Sequence, residues 1–193
     1  MGEALGAARR LAPRFAGRAA GHDRDGSFPV DDFVDLRAAG MFGLMVPERL
    51  GGMGAGFADY AAVAYELARG NGATALVFNM HASVTGALAG IPQAMASALG
   101  VPDDFFAARD EILRTAAGGA FFAVAMSERG AGSRLSRLST VYSQEDGGYR
   151  IKGSKSFVSG SGQADVYLVA ARSPPPTIRR RFPSSWCRRT ARA

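Results

Sequence analysis

Two stretches of the chain place small, hydroxyl-bearing and charged residues where backbone and side chains could meet a ligand. The first runs Met126-Ser127-Glu128-Arg129-Gly130-Ala131-Gly132-Ser133-Arg134, directly after an apolar run. The second is "GGYRIKGSKSFVSGSGQAD", residues 147–165. A glycine-permitted turn leaves backbone N–H groups free, and flanking hydroxyls add donors. Such a turn can receive a phosphate or the edge of a flat heterocycle, although an ordinary inter-strand loop has the same composition. Two nucleotide patterns fail. From Gly148 the residues nearly make a P-loop, but Ser154 stands where the phosphate-binding lysine belongs, among strand-like surroundings. "GAGSRL", from Gly130, lacks the third glycine of a dinucleotide fingerprint and opens no βαβ unit. With only His22, His81 and Cys187 there is no metal constellation and no internal disulfide.

The elements that must position these stretches change character along the chain. Leu5, Leu11 and Phe15 fit the apolar stripe of a surface helix. Arg9, Arg10, Arg14 and Arg18 against Glu3 give the same segment a faint likeness to a targeting peptide. Asp31-Asp32 suit a helix start before Phe33 and Leu36, and "MFGLMVPERLGGMGAG" predicts a long loop around Pro47. Tyr60, Val63, Ala64 and Leu67 mark a helix face, with Gly70 or Gly72 as its left-handed cap. Ala73–Leu88 reads as a buried helix, and another spans Asp103 to Ala116. After Gly118-Gly119 come strand signals at 121–126, 138–144, 149–152, 156–159 and 166–171, with "EDGGY" as a hairpin turn. The expected class is therefore α+β: a helical domain over residues 1–118, then a partial, small antiparallel barrel-like β-domain over 119–172.

The formal charge of +6 is misleading, because residues 173–193 hold six arginines and no acid. That tail also holds Trp186, Cys187 and four of the nine prolines, which predicts a disordered Arg/Pro-rich segment. The body is near neutral, so a nucleic-acid partner is not expected, and only the tail could serve as a basic arm. No apolar run is long enough for a membrane span, and a cytoplasmic location is expected.

Taken with the "VPERLGGMGAG" loop and the order of helices then strands, the two stretches resemble the acyl-CoA dehydrogenase family. Its β-domain carries a T-E-P-G-A-G-S motif and, after N-G-x-K, a W-I-T segment. Here they stand as Ser127-Glu128-Arg129-Gly130-Ala131-Gly132-Ser133 and as Lys152-Gly153-Ser154-Lys155 followed by Phe157-Val158-Ser159. The resemblance spans residues 17–172. It implies FAD as cofactor and an acyl-CoA thioester as substrate, with α,β-dehydrogenation as the reaction. It also implies homo-oligomeric full-length relatives.

Carried over by position, Val124, Ala125, Met126, Ser127, Gly132 and Ser133 would contact the flavin, with Ser133 also near the thioester ligand. Phe157 would replace the family's Trp against the flavin ring, and Ser159 its Thr, with Val158 between them. Arg129 in place of Pro and Arg134 in place of Asp are departures expected to weaken flavin binding. His81 falls where the family often has a polar residue near the ligand, but a lone His on an apolar helix reads first as a satisfied core residue. The family's catalytic carboxylate belongs to a C-terminal helical domain that this sequence does not show, so the chain is expected to be truncated and inactive, its tail the product of a frameshift or a false gene end. Two alternatives stand beside the dehydrogenase: a monooxygenase or nitroalkane-oxidase-type flavoenzyme on the same fold, and a non-catalytic binding protein with a basic tail.

Overall fold

The computed structural model describes residues 2–101 and 103–173, and all of the Arg/Pro-rich tail but Ser173 lies outside them. Helix α1 (Gly2–Asp25) buries Ala4, Ala7, Ala8, Leu11, Ala12 and Phe15, a three-and-four spacing that keeps one face inward. That face meets α3 (Phe57–Gly70). Their approach explains Gly70: a Cβ there would sit 2.3 Å from the Ala12 carbonyl oxygen. The expected left-handed glycine cap is therefore corrected. Gly70 is needed for close helix packing, and α3 ends on Asn71 in an extended conformation (φ −150°).

Asn71 in turn caps α4 (Gly72–Ala89), its side chain accepting from the Ala73 and Thr74 N–H groups. Its amide also donates to Asp32 on α2 (Val30–Ala38). Asp32 is fully buried and takes the Thr74 hydroxyl at 2.6 Å, with the Arg18 guanidinium 2.8 Å away as its counter-ion. A buried carboxylate needs such partners. The long loop between α2 and α3 is ordered by its own backbone. Met53, Gly54 and Ala55 donate back to Gly43, Val46 and Leu44, which lets the loop bury Met41, Phe42, Leu44 and Val46.

The short α5 (Gln93–Ala98) and α6 (Asp103–Ala117) complete the helical part. One core joins Phe15, Phe33, Leu36, Phe42, Leu67 and Phe78 to Phe121. A second joins Val46, Leu50, Leu113 and Ala116 to Phe122. Both cores thus close on the residues that open the β-part.

The β-part departs from the expected antiparallel barrel. Strand β1 (Phe122–Ala125) pairs in parallel with β4 (Val166–Val169), Phe122 opposite Val166. Strands β2 (Val141–Glu145) and β3 (Gly148–Lys152) form a separate antiparallel hairpin, with Gly147 at φ +84° in its turn. Among the described residues these are two two-stranded ladders with no closed barrel. The parallel sense arises because residues 153–165 cross back to the start of β1, where the Phe121 carbonyl accepts from Asp165 and Val166. Residues 156–159, expected as a strand, are not one. The Ser156 N–H goes to the Ser127 carbonyl, and Phe157 adopts φ +56°, which breaks the side-chain alternation a strand requires.

Candidate functional site

The site is built from the exit of β1 outward. Val124 is half-buried and Ala125 buried on β1, so the strand ends rigidly against the core. Behind it, α4 supplies His81, 1% exposed, whose Nδ1 accepts the Phe122 N–H at 3.0 Å. Because a peptide nitrogen can only donate, the ring proton must sit on Nε2, which points to the Phe42 carbonyl at 2.8 Å. Burial lowers the imidazole pKa to about 4, against the opposing pull of the Phe42 carbonyl. His81 is thus a neutral, fully partnered bolt between α4 and β1, as a core residue should be.

Beyond Ala125, the backbone N–H groups of Met126 and Ser127 have no acceptor among the described residues. The chain then closes a tight loop. Glu128 and Gly132 exchange backbone hydrogen bonds of 3.0 and 2.9 Å, with Gly130 at φ +81° and Gly132 at φ +58°. Left-handed backbone at both positions is why glycine recurs there. Arg129, Gly132, Ser133 and Arg134 are all exposed on this loop.

The carboxylate of Glu128 is buried beneath it. One oxygen takes the Ser139 N–H (2.7 Å) and hydroxyl (2.6 Å), and the other takes the Thr140 N–H (3.0 Å) and the Lys155 ammonium (2.9 Å). These donors, the Ser139 hydroxyl foremost, hold the Glu128 carboxyl far below the ordinary carboxylate range. Lys155, itself almost wholly buried, also donates to the Met126 carbonyl at 3.1 Å.

The second stretch is therefore fastened to the first at residues 155 and 156, and Phe157 follows at once. Its ring is 94% exposed. Val158 and Ser159 are half-buried, and Gly160 packs so tightly that a Cβ would lie 2.5 Å from the Phe121 ring. The structure brings together Met126, Ser127 and the 156–159 segment, with Gly132 and Ser133 at the outer end of the same loop. Sequence reasoning named Glu128 and Lys155 only as motif letters. The available signal was a carboxylate directly after a buried strand, which needs a cation, but spacing alone does not pair it with Lys155.

A separate cavity of about 860 Å³ lies in the helical part between the 45–57 loop, α3 and α4. Met45, Phe57, Ala82 and Gly86 line it, and a hydrogen bond from the Tyr60 hydroxyl to the Asn79 side chain gives it a polar spot. Among the described residues no group of three His, Cys, Asp or Glu could hold a metal ion, and no helix is long and apolar enough to cross a membrane.

Comparison with known proteins places these features. The family model for the N-terminal domain of acyl-CoA dehydrogenases matches residues 5–92, and that for the middle domain matches residues 123–186, running past Arg172. The chain is 30% identical to benzylmalonyl-CoA dehydrogenase of Aromatoleum aromaticum, over 83% of this chain and 40% of that protein. It is 27% identical to dibenzothiophene monooxygenase of Mycolicibacterium goodii, over 87% of this chain and 38% of that one.

Among solved structures, KijD3 in complex with FMN and dTDP-3-amino-2,3,6-trideoxy-4-keto-3-methyl-D-glucose superposes with a TM-score of 0.67 at 27% identity, covering 89% of this chain and 42% of that one. FMN-bound TdsC of Paenibacillus sp. A11-2, at 24% identity and a TM-score of 0.70, covers 90% of this chain and 40% of that one and shares the fold. The chain spans about two fifths of the length of the relatives it matches.

The FAD expected from the resemblance is corrected by these structures, whose flavin is FMN. The physical reason is plain in the ligand. FMN presents the same ring system with a single phosphate in place of a dinucleotide tail, so ring contacts are common to both flavins and the tail contacts are withdrawn.

Proposed function

Because the chain belongs to the acyl-CoA dehydrogenase family, we propose that its two domains form the flavin- and substrate-facing part of an FMN-dependent oxidoreductase of the monooxygenase type. The observation that carries the reading is the junction of the two loops. Free N–H groups at Met126 and Ser127 stand beside a segment whose next residue presents an almost fully exposed aromatic ring. What sets Phe157 apart from the other exposed apolar side chains is its left-handed backbone, and a flat partner covering the ring would account for both.

These residues fit a flavin. The Met126 and Ser127 N–H groups and the Ser127 hydroxyl would donate to polar atoms at the ring edge, and Phe157 would cover one face. Ser159 would face the same ring, and Ser133 would donate to the phosphate end. When bound, the flavin supplies the electron transfer, while the protein orients substrate and excludes water. The substrate's apolar part would occupy the cavity beside α4, whose other face carries His81 to β1.

Relatedness to dibenzothiophene monooxygenase supports the oxygenating reading, and the FMN bound by KijD3 supports the choice of flavin. The 30% identity to benzylmalonyl-CoA dehydrogenase keeps dehydrogenation of an acyl-CoA thioester as the second reading. Titration of the full chain with FMN, followed by flavin fluorescence, is the direct test. Saturable quenching supports the flavin site, and no quenching at all refutes it. With flavin bound, anaerobic bleaching by an acyl-CoA would favour the dehydrogenase, whereas oxygen consumption by the reduced flavoprotein with transfer to substrate would favour the monooxygenase.

A further inference from the structure

Phe157 is the one non-glycine residue among those described with a positive φ, at +56°, and its ring gains nothing from burial. A bulky residue in the left-handed region is strained and persists only where neighbouring structure over-determines it. The neighbours on both sides do so. On the C-terminal side, Ser161 donates to the Val158 carbonyl, and Gln163 and Ala164 donate to that of Gly160, itself wedged on Phe121. On the N-terminal side, Ser156 donates to Ser127 at 2.9 Å, and Lys155 spans the Met126 carbonyl and the Glu128 carboxylate.

Glu128 cannot swing away, because three further donors from Ser139 and Thr140 hold it. The ion pair is the least exposed in the described structure, with side chains 9% and 3% accessible. Buried pairs of this kind contribute little net stability and serve better as devices of registration.

We propose that Glu128 and Lys155 are positioning residues: the pair locks the Met126–Ser127 edge and the Phe157 ring into one rigid frame, so that the two walls meet a flat ligand without rearranging. This rests on the flavin reading above. If the frame is preformed, breaking it charges the ordering cost to the binding step, and affinity falls.

The experiment compares the full chain with Lys155→Met, Lys155→Arg and Glu128→Gln, by FMN fluorescence titration and by amide hydrogen exchange at Ser156. Lys155→Met is expected to weaken FMN binding by about tenfold or more and to accelerate Ser156 exchange in the folded protein. Lys155→Arg, which keeps charge and donors, is expected to restore both. If Lys155→Met lowers the melting temperature but leaves FMN affinity and Ser156 protection intact, the pair is merely structural and the proposal is overturned. Should Lys155→Met not fold, Glu128→Gln carries the comparison, with the same two readouts and the same refuting result. Should the unmodified chain not bind FMN, the flavin reading fails by itself. The frame is then judged by Ser156 exchange, where protection lost in Lys155→Met and regained in Lys155→Arg sustains it and unchanged protection overturns it.

Discussion

Replacing His81 by Gln should flatten the acid side of the stability curve. In the folded chain the imidazole is held neutral by burial, with its pKa near 4 in place of 6.5. Unfolding returns it to water, where it takes up a proton below pH 6.5. Between pH 4 and 6.5 the unfolded chain therefore binds more protons than the folded one, and stability rises with pH across that window. Above 6.5 the residue is neutral in both states, and the full stability is present.

At about 1.4 kcal/mol per tenfold in proton affinity, the difference between pH 7.5 and pH 5 is about 2 kcal/mol from this residue alone. The whole window is worth about 3 kcal/mol. Urea unfolding of the unmodified chain and of His81→Gln at both pH values isolates it, because the two proteins differ at no other residue. The variant should be weaker at pH 7.5 by about 1–3 kcal/mol, since the Gln amide carries its donor and acceptor together at its end and does not reproduce the spacing by which the imidazole nitrogens hold the Phe42 carbonyl and the Phe122 N–H. Its further loss on acidification should be smaller by about 2 kcal/mol. Equal losses in the two proteins, or an NMR titration of His81 with a midpoint near 6.5, would refute the reasoning.

Gly70→Ala should cost about 1–3 kcal/mol, because the new Cβ meets the α1 backbone at Ala12 and neither helix can yield; thermal melting measures it. Gly86→Ala should be neutral or stabilising by up to about 1 kcal/mol, since its Cβ meets only the flexible end of Met45; a loss as large as that of Gly70→Ala would contradict this. Asn71→Ala removes the α4 cap and a partner of buried Asp32, so denaturant unfolding should show a loss of at least about 1 kcal/mol. Phe157→Gly relieves left-handed backbone without uncovering any core, so the melting temperature should hold or rise while FMN affinity falls; a falling melting temperature would mean that the ring packs in solution.

The helical half was legible because burial follows period. Phe33 and Leu36, and Val63 and Leu67, recur at helical spacing and are the residues found inside. What the period could not report was why a glycine was present. Gly70 reads locally as a cap, and only the arrival of Ala12 from α1 shows that it is a contact surface. The strands were found near their expected places, but their sense was not. The partner of β1 lies far along the chain, and alternation within a strand carries no sign of direction. Residues 156–159 have strand-like composition, and nothing in a phenylalanine announces a left-handed φ.

The same distinction bears on the site. The loop motif is read from glycines and serines because those residues shape backbone, and the structure bears out the turn they imply. Its stiffness comes from Glu128 and Lys155, whose pairing depends on the hairpin between them bringing Ser139 and Thr140 alongside. On the flavin reading, such a frame would meet the flat ring, a feature FMN shares with other flavins. On the flavin reading proposed above, the phosphate end would fall to Ser133, Arg129 and Arg134 on the exposed rim, where this chain carries arginines in place of the proline and acid that the family resemblance leads one to expect. As departures from the motif the two arginines are expected to weaken flavin binding, whereas their positive charge would favour an anionic end group, and the sign of their net contribution is separable from that of the ring. Riboflavin carries the ring without the phosphate, so the ratio of its affinity to that of FMN measures what the rim adds.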